Sequence, residues 1–389
     1  MPMCLLTGTA PLRDWVLAKP FNITSTPHPI IILPLALAHM PPSLDHCTPL
    51  NTPVRRRLQT MGVAWHCSSF VVFTLFNLML WANPLGWLLA IPYLIYFFRD
   101  KSPANGGVVK RYSPWFRSWR IWSWYCHYFP ISLHRSIELE PTFSKVGEPT
   151  GPRYIFGYHP HGIGALGAFG AIATEGCGWS RLFPGVPVSL MTLVNQFHIP
   201  LYRDYLLALG ITSVSRKNAL RVLHYNQSIC IVVGGARESL LTQPIDTEHK
   251  RIEIILHKRK GFIKLALETG NVALVPTFAF GEIDTYSILR SAEGSKLHKV
   301  QMWLKTHIGF TIPVFYARGL FNYDFGLLPY RKPIAVVTGR PVHIPERVHA
   351  PADDVVNHYH KRYIDELKRV YYDNRELSGF SDVEMDIVG

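Results

Sequence analysis

The sequence predicts an α/β domain with a mixed sheet behind an N-terminal membrane hairpin, and three observations carry that expectation. Residues 62–98 contain no Asp, Glu, Lys or Arg. From residue 151 onward, short β-branched and aromatic runs alternate with helical ones. Between these stretches lies Arg153-Tyr-Ile-Phe-Gly-Tyr-His159-Pro160-His161-Gly162, an apolar run that ends in two histidines.

Along the chain, residues 1–55 are broken by eight prolines from Pro20 to Pro53 and read as a mobile extension. Arg55, Arg56 and Arg57 then precede the charge-free segment, which is interrupted by Asn83-Pro84-Leu85-Gly86 and so predicts two short helices joined by a turn over 56–100. Basic residues on both flanks, Arg99 and Lys101 included, put both ends on the cytosolic side. The segment 112–129, dense in tryptophan, tyrosine and arginine, suits a headgroup layer. Strands are expected at 188–193, 228–233, 272–278, 311–315 and 334–338, and helices at 201–209, 217–225 and 261–269. Apolar and aromatic spacing predicts an amphipathic helix over 353–376, packed as a C-terminal brace.

Composition narrows the function classes. A formal net charge of +13 over 389 residues implies an acidic partner, whether nucleic acid, an anionic membrane or a phosphorylated substrate. Nucleic acid is set aside because neither zinc-finger spacing nor an RNA-binding aromatic signature occurs. The six cysteines form no Cys-x-x-Cys pair and read as thiols of a reducing compartment.

The histidine loop is the candidate for chemistry. Residues 154–156 read as a buried strand closed by Gly157, and Pro160 stiffens the exit that carries His159 and His161. The Gly- and Ala-rich run that follows can form a helix whose positive end faces the same place. His-x-His also occurs in zinc sites, but no Asp, Glu or Cys follows closely enough to complete a ligand set.

Four motifs in order carry a family resemblance: Tyr128-Phe129-Pro130, His159-Pro160-His161-Gly162, Gly234-Gly235-Ala236-Arg237-Glu238-Ser239 and Arg259-Lys260-Gly261-Phe262-Ile263-Lys264. Together, from residue 55 to the C-terminus, they resemble the type 2 diacylglycerol acyltransferase family, which includes monoacylglycerol and wax-ester acyltransferases. The resemblance implies an acyltransferase domain over 101–389 in an endoplasmic reticulum membrane protein that reaches lipid droplets. It implies acyl transfer from acyl-CoA to diacylglycerol, with membrane lipids as further partners, no metal, and no cofactor besides acyl-CoA as co-substrate. His159 and His161 match the family's histidines, Tyr128-Phe129-Pro130 its substrate-side motif, and Glu138 sits where relatives often carry an acidic residue. A more distant likeness, to glycerolipid acyltransferases with an aspartate five positions after the histidine, fails here, because those positions hold Gly164 and Leu166.

On their own chemistry, Gly234 and Gly235 let backbone approach a ligand, while Arg237 and Glu238 can supply charge-assisted hydrogen bonds or form a solvated ion pair. Lys258, Arg259 and Lys260 can meet CoA phosphates or anionic headgroups, with Arg203 and Arg216 as weaker candidates. His161 is the expected general base, with His159 orienting it or donating to the thioester oxygen, and with backbone N–H groups of residues 162–164 receiving the oxyanion. Rival readings are a monoacylglycerol or long-chain alcohol acyltransferase, a noncatalytic lipid-droplet protein, and a metal-dependent hydrolase. Self-association as a homo-oligomer is left open.

Overall fold

The computed structural model describes residues 52–235, 238–239, 250–288, 299, 303, 315–320, 326–376 and 379–389. The extension expected over 1–55 lies outside them apart from its last residues, as does the strand expected at 311–315 apart from Phe315.

The charge-free segment forms α1 (Val54–Ala82) and α2 (Trp87–Arg99), joined by a 3-10 turn at Pro84–Gly86. The break falls where expected, because Pro84 cannot donate and Asn83 Oδ1 accepts from Leu85 N at 3.0 Å. The first helix is not short, however: it runs for 29 residues and begins before the apolar stretch. Arg331 secures its early turns, bonding Gln59 Oε1 at 2.7 Å, Thr60 Oγ1 at 3.0 Å and the Arg56 carbonyl at 3.1 Å. Among the described residues, α1 is the one helix long and apolar enough to cross a membrane. The 13 residues of α2 fall short of the roughly 20 that a bilayer core requires. Leu75, Leu78, Met79, Leu85, Leu88, Leu89 and Phe98 of this pair are each more than half exposed.

Polar contacts dock the pair onto the rest of the chain. Gly62 lets α1 press against α3 (Arg120–Tyr128), where a Cβ would lie 3.0 Å from both Ile121 O and Tyr125 N. Asn77 Nδ2 donates to Pro200 O at 2.9 Å, and Tyr93, Tyr96 and Arg111 all bond Asp204 of α4 (Tyr202–Ala208). The aromatic segment 112–129 is not a headgroup layer throughout. Trp122, Tyr125, Tyr128 and Phe129 are buried, and Arg117 is completely buried, donating to Leu209 O at 2.7 Å and Ile172 O at 2.8 Å. Trp115, Trp119 and Arg120 keep the expected exposure.

The strands are β1 (Ser132–Arg135), β2 (Arg153–His159), β3 (Val188–Thr192), β4 (Ile211–Ser213), β5 (Ser228–Val232), β6 (Arg251–Ile255), β7 (Val272–Phe280), β8 (Ser287–Ile288), β9 (Phe315–Tyr316), β10 (Ala335–Thr338), β11 (Val342–Ile344) and β12 (Glu384–Val388). The main sheet runs β1-β10-β7-β2-β5-β3-β4, with β11 also on β7. The five strands from β7 to β4 are parallel, while β10 and β11 are antiparallel to β7, so the sheet is mixed as expected. Every residue of β7 is buried, as is all of β2 beyond Arg153, the pattern of strands covered on both faces. Helices α5 (Arg216–His224), α6 (Gly261–Thr269) and α7 (Asp353–Asn374) supply that cover.

Gly157 does not close β2 but lies inside it, paired with Pro276 of β7 and Ile231 of β5. Its missing side chain makes room for the Tyr363 hydroxyl of α7, because a Cβ there would lie 1.9 Å from that oxygen. Gly157→Ala is therefore expected to destabilise the solubilised protein by about 1–3 kcal/mol, the range for overpacking a core. Adding Tyr363→Phe should restore part of the loss, since the oxygen goes but a ring carbon at 2.9 Å stays. Thermal unfolding of the single and double variants measures this, and an unchanged midpoint for Gly157→Ala would contradict the packing.

Candidate active site

The histidines stand where β2 ends, with His159 paired in register to Phe278 and followed by a cis peptide to Pro160. His159 is completely buried, and its Nε2 lies 3.0 Å from the Tyr363 hydroxyl. That hydroxyl has one proton and gives it to the Gly157 carbonyl at 3.1 Å. It must therefore accept from His159, which puts the ring proton on Nε2 and leaves Nδ1 a bare lone pair, without a hydrogen-bond partner among the described residues. Burial pushes the His159 pKa down to about 3, so the ring is neutral at any physiological pH.

His161 is only half-buried. Its Nδ1 lies 2.9 Å from the Gly162 carbonyl, so Nδ1 donates and Nε2 holds the lone pair. Burial lowers its pKa below the ordinary histidine value, and the Gly162 carbonyl opposes that shift. The backbone N–H of His161 donates to Glu238 Oε1, and Glu238 Oε2 accepts from Ile255 N at 2.8 Å. Glu238 is buried, and burial raises its carboxyl to about 7 against the opposing effects of these N–H groups and of Arg259. Gly234 exists to admit this carboxyl, because a Cβ there would lie 2.2 Å from Glu238 Cδ. Gly235 takes a φ of +65°, which only glycine adopts without strain.

A second buried carboxylate, Glu282, lies on the other side of the loop. It accepts from the Tyr158 hydroxyl at 2.8 Å, Leu166 N at 2.6 Å and Gly167 N at 2.8 Å. Burial raises it too to about 7, although these three donors oppose the shift. Its presence corrects the expectation for the small-residue run. That run is a short helical turn at Leu166–Ala168 continuing into a π-turn at Phe169–Ala173, and its leading N–H groups are spent on Glu282. Among the described residues, no hydrogen bond takes the N–H groups of Gly162, Ile163 or Gly164, the donors expected to face an oxyanion.

The other candidates scatter. Glu138 is 75% exposed beside Arg135, three residues past the end of β1, a strand separated from β2 by β10 and β7, and does not join the histidines. Tyr128 and Phe129 are buried, with the Tyr128 hydroxyl on Pro329 O at 2.6 Å and Arg331 over its ring at 4.1 Å. Together with Pro130 they form the corner between α3 and β1. The basic triplet divides: Arg259 reaches Gly234 O at 3.3 Å, Lys260 bonds Asn357 Oδ1 at 2.6 Å, and Lys258 is exposed. Arg237 lies outside the described residues. Arg203 is buried against Asp100 at 3.2 Å, and Arg216 pairs with Glu268, so both serve structural contacts. Cys230 is buried within β5, its thiol pushed far up by burial, whereas Cys177 is half-buried near Ile131 O at 3.6 Å. Sequence reasoning missed Tyr363 and Glu282. The signal for Glu282 was a carboxylate set directly after nine apolar or small residues and Gly281.

The chain matches the profile of the family described as diacylglycerol acyltransferase over residues 78–388. Diacylglycerol O-acyltransferase 1 of Saccharomyces cerevisiae is 60% identical over 381 residues, covering 90% of each chain. Diacylglycerol O-acyltransferase 2 of Dictyostelium discoideum is 41% identical over 83% of this chain and 93% of its own. The 2-acylglycerol O-acyltransferase 1 of Bos taurus is 38% identical over 86% of this chain and 97% of its own. Among solved structures, the 1-acyl-sn-glycerophosphate acyltransferase PlsC of Thermotoga maritima matches 82% of this chain and 97% of its own, with a TM-score of 0.36 and 11% identity, too slight a likeness to argue from.

The carboxyl shifts make stability depend on pH. A carboxyl raised to about 7 binds its proton in the fold but not in the unfolded chain between its ordinary value and 7. It therefore lowers stability as pH rises through that window, by roughly 1.4 kcal/mol per pH unit per group. The neutral histidines act oppositely below about 6.5, so one carboxyl is best read as a difference. The stability advantage of the wild-type protein over Glu282→Gln should shrink between about pH 5 and 7 and level off above. Denaturant unfolding at several pH values tests this, and a difference that stays constant or grows would refute it.

Proposed function

The chain belongs to the diacylglycerol acyltransferase family, and from that premise we propose that its histidine loop catalyses direct transfer of an acyl group from acyl-CoA to the free hydroxyl of diacylglycerol. The enzyme is an O-acyltransferase, and its product is triacylglycerol. A hydroxyl attacks a thioester poorly unless a base removes its proton as the bond forms. The observation that carries the assignment of that base is the pair of bare lone pairs, one on each histidine. His161 Nε2 is the better base, because it belongs to the half-buried ring, while a His159 held near pKa 3 is too weak at neutral pH. The orphaned Nδ1 of His159 supports a second reading in which that atom takes the proton.

In the favoured reading, His161 Nε2 accepts the hydroxyl proton as the ester C–O bond forms. The tetrahedral oxyanion meets the N–H groups of residues 162–164, each worth about 3 kcal/mol where such donors have been removed. The C–S bond then breaks, and the proton passes from the imidazolium to the CoA thiolate. Glu238 holds His161 in place by accepting from its backbone N–H. His159 has given its only N–H to Tyr363, so it anchors the loop and does not donate to the thioester. Glu282 holds the far end of the loop through Leu166 N and Gly167 N. No metal and no cofactor enters the scheme.

The apolar exterior of α1 and α2 and their basic flanks support a membrane hairpin, in which α1 crosses most of the bilayer and α2 returns. Both flanks would then be cytosolic, in an endoplasmic reticulum protein that reaches lipid droplets.

His161→Ala is expected to lower kcat about 100-fold or more in protein that still folds, in line with loss of a general base. His159→Ala should also lower thermal stability. Near-normal turnover in folded His161→Ala would transfer the role to His159. In the same assays, neutralising Lys258, Arg259 and Lys260 together should raise the KM for acyl-CoA above that for diacylglycerol, and an unchanged value would remove them from CoA binding.

The protein should resist alkaline carbonate extraction, with tags before Val54 and after Arg99 both open to protease in sealed microsomes. Release by carbonate, or protection of one tag, would defeat the hairpin.

A further inference from the structure

Away from the histidines, a groove of about 360 Å³ opens between the first turns of α1 and one side of α3. Arg55, Arg120, His127 and Trp124 line it, with Ser123 and Gln59 as polar neighbours. No acidic residue lies in the first turn of either helix. Among the described residues, no carboxylate pairs with Arg55 or Arg120, and their charges add to the positive ends of the two helix dipoles. His127 Nδ1 donates to Ser123 O at 2.6 Å, which fixes the ring in the groove wall. Arg55 and Arg120 both line the groove, and guanidinium groups are donors suited to the oxygens of a phosphate. An indole beside them suits the boundary between headgroups and acyl chains.

The height of the groove chooses the kind of phosphate. It lies at the polar start of α1, just before the exposed apolar surface that begins at Met61 and continues through Phe70, Leu75 and Met79. We propose that this groove binds the phosphate of an anionic phospholipid headgroup and so sets the depth of α1 in the membrane. The inference rests on the membrane reading above. It concerns residues to which no part of the catalytic scheme is assigned.

The test uses full-length protein in neutral detergent, so that it is independent of carbonate extraction, with short-chain phosphatidate and phosphatidylcholine as probes. Arg55→Gln/Arg120→Gln should weaken phosphatidate binding at least tenfold and leave phosphatidylcholine binding unchanged. Acyl transfer assayed in phosphatidylcholine micelles should persist, which reports that the variant is folded. Ser123→Asp, which sets a carboxylate in the groove wall, should give the same loss and serves if the double variant does not fold. Phosphatidate binding that survives both changes would overturn the proposal. So would displacement by inorganic phosphate at the concentration at which phosphatidate itself binds, or a raised KM for acyl-CoA in the double variant, because the groove would then serve free phosphate or the co-substrate.

Discussion

The structure depends on the approach of one hydroxyl to one missing side chain. Tyr363 enters the space that a Cβ at Gly157 would fill, donates to the Gly157 carbonyl and accepts from His159. That single oxygen joins the C-terminal helix, the central strand and the histidine loop. Because it has only one proton to give, it also dictates the tautomer of His159. Packing and chemistry are thus set by the same contact, and a change made for one is felt by the other.

Two buried carboxylates complete the support of the loop. Glu238 accepts from the backbone of His161 and Glu282 from that of Leu166 and Gly167, so the turn between them is held from both ends. Each side chain loses water on burial, and the backbone N–H groups it gains offset only part of that cost, which is why both carboxyls sit near 7. Among the described residues, no hydrogen bond takes the N–H groups at 162–164 of the loop they frame.

The helix pair is continuous with this machinery. His66 of α1 stacks on Phe169 at 3.8 Å, and Phe169 belongs to the turn that leaves the histidine loop. Asn77 and Tyr93 bond the domain and Val63, Trp65 and Phe73 pack against it, while Leu75, Leu78, Met79, Leu88 and Leu89 remain exposed, more apolar surface than a water-soluble helix pair leaves open.

What the sequence by itself determined is local. The break at Asn83 and Pro84, the strands at 188, 228, 272 and 334, the helix beginning at Gly261 and the paired histidines at a strand exit follow from proline, glycine and side-chain periodicity. Those constraints act within a few residues. Tertiary structure alone decided the partners. His161 meets Glu238 77 residues away, Tyr158 meets Glu282 124 away and His159 meets Tyr363 204 away. Gly157 read as a strand end and Tyr363 as one more apolar position on a helix face, because no local pattern records which chain passes opposite. Glu138 stays exposed and apart from the histidines while Glu238 and Glu282 are buried beside their loop, because a carboxylate's surroundings are set by where the sheet brings distant backbone together.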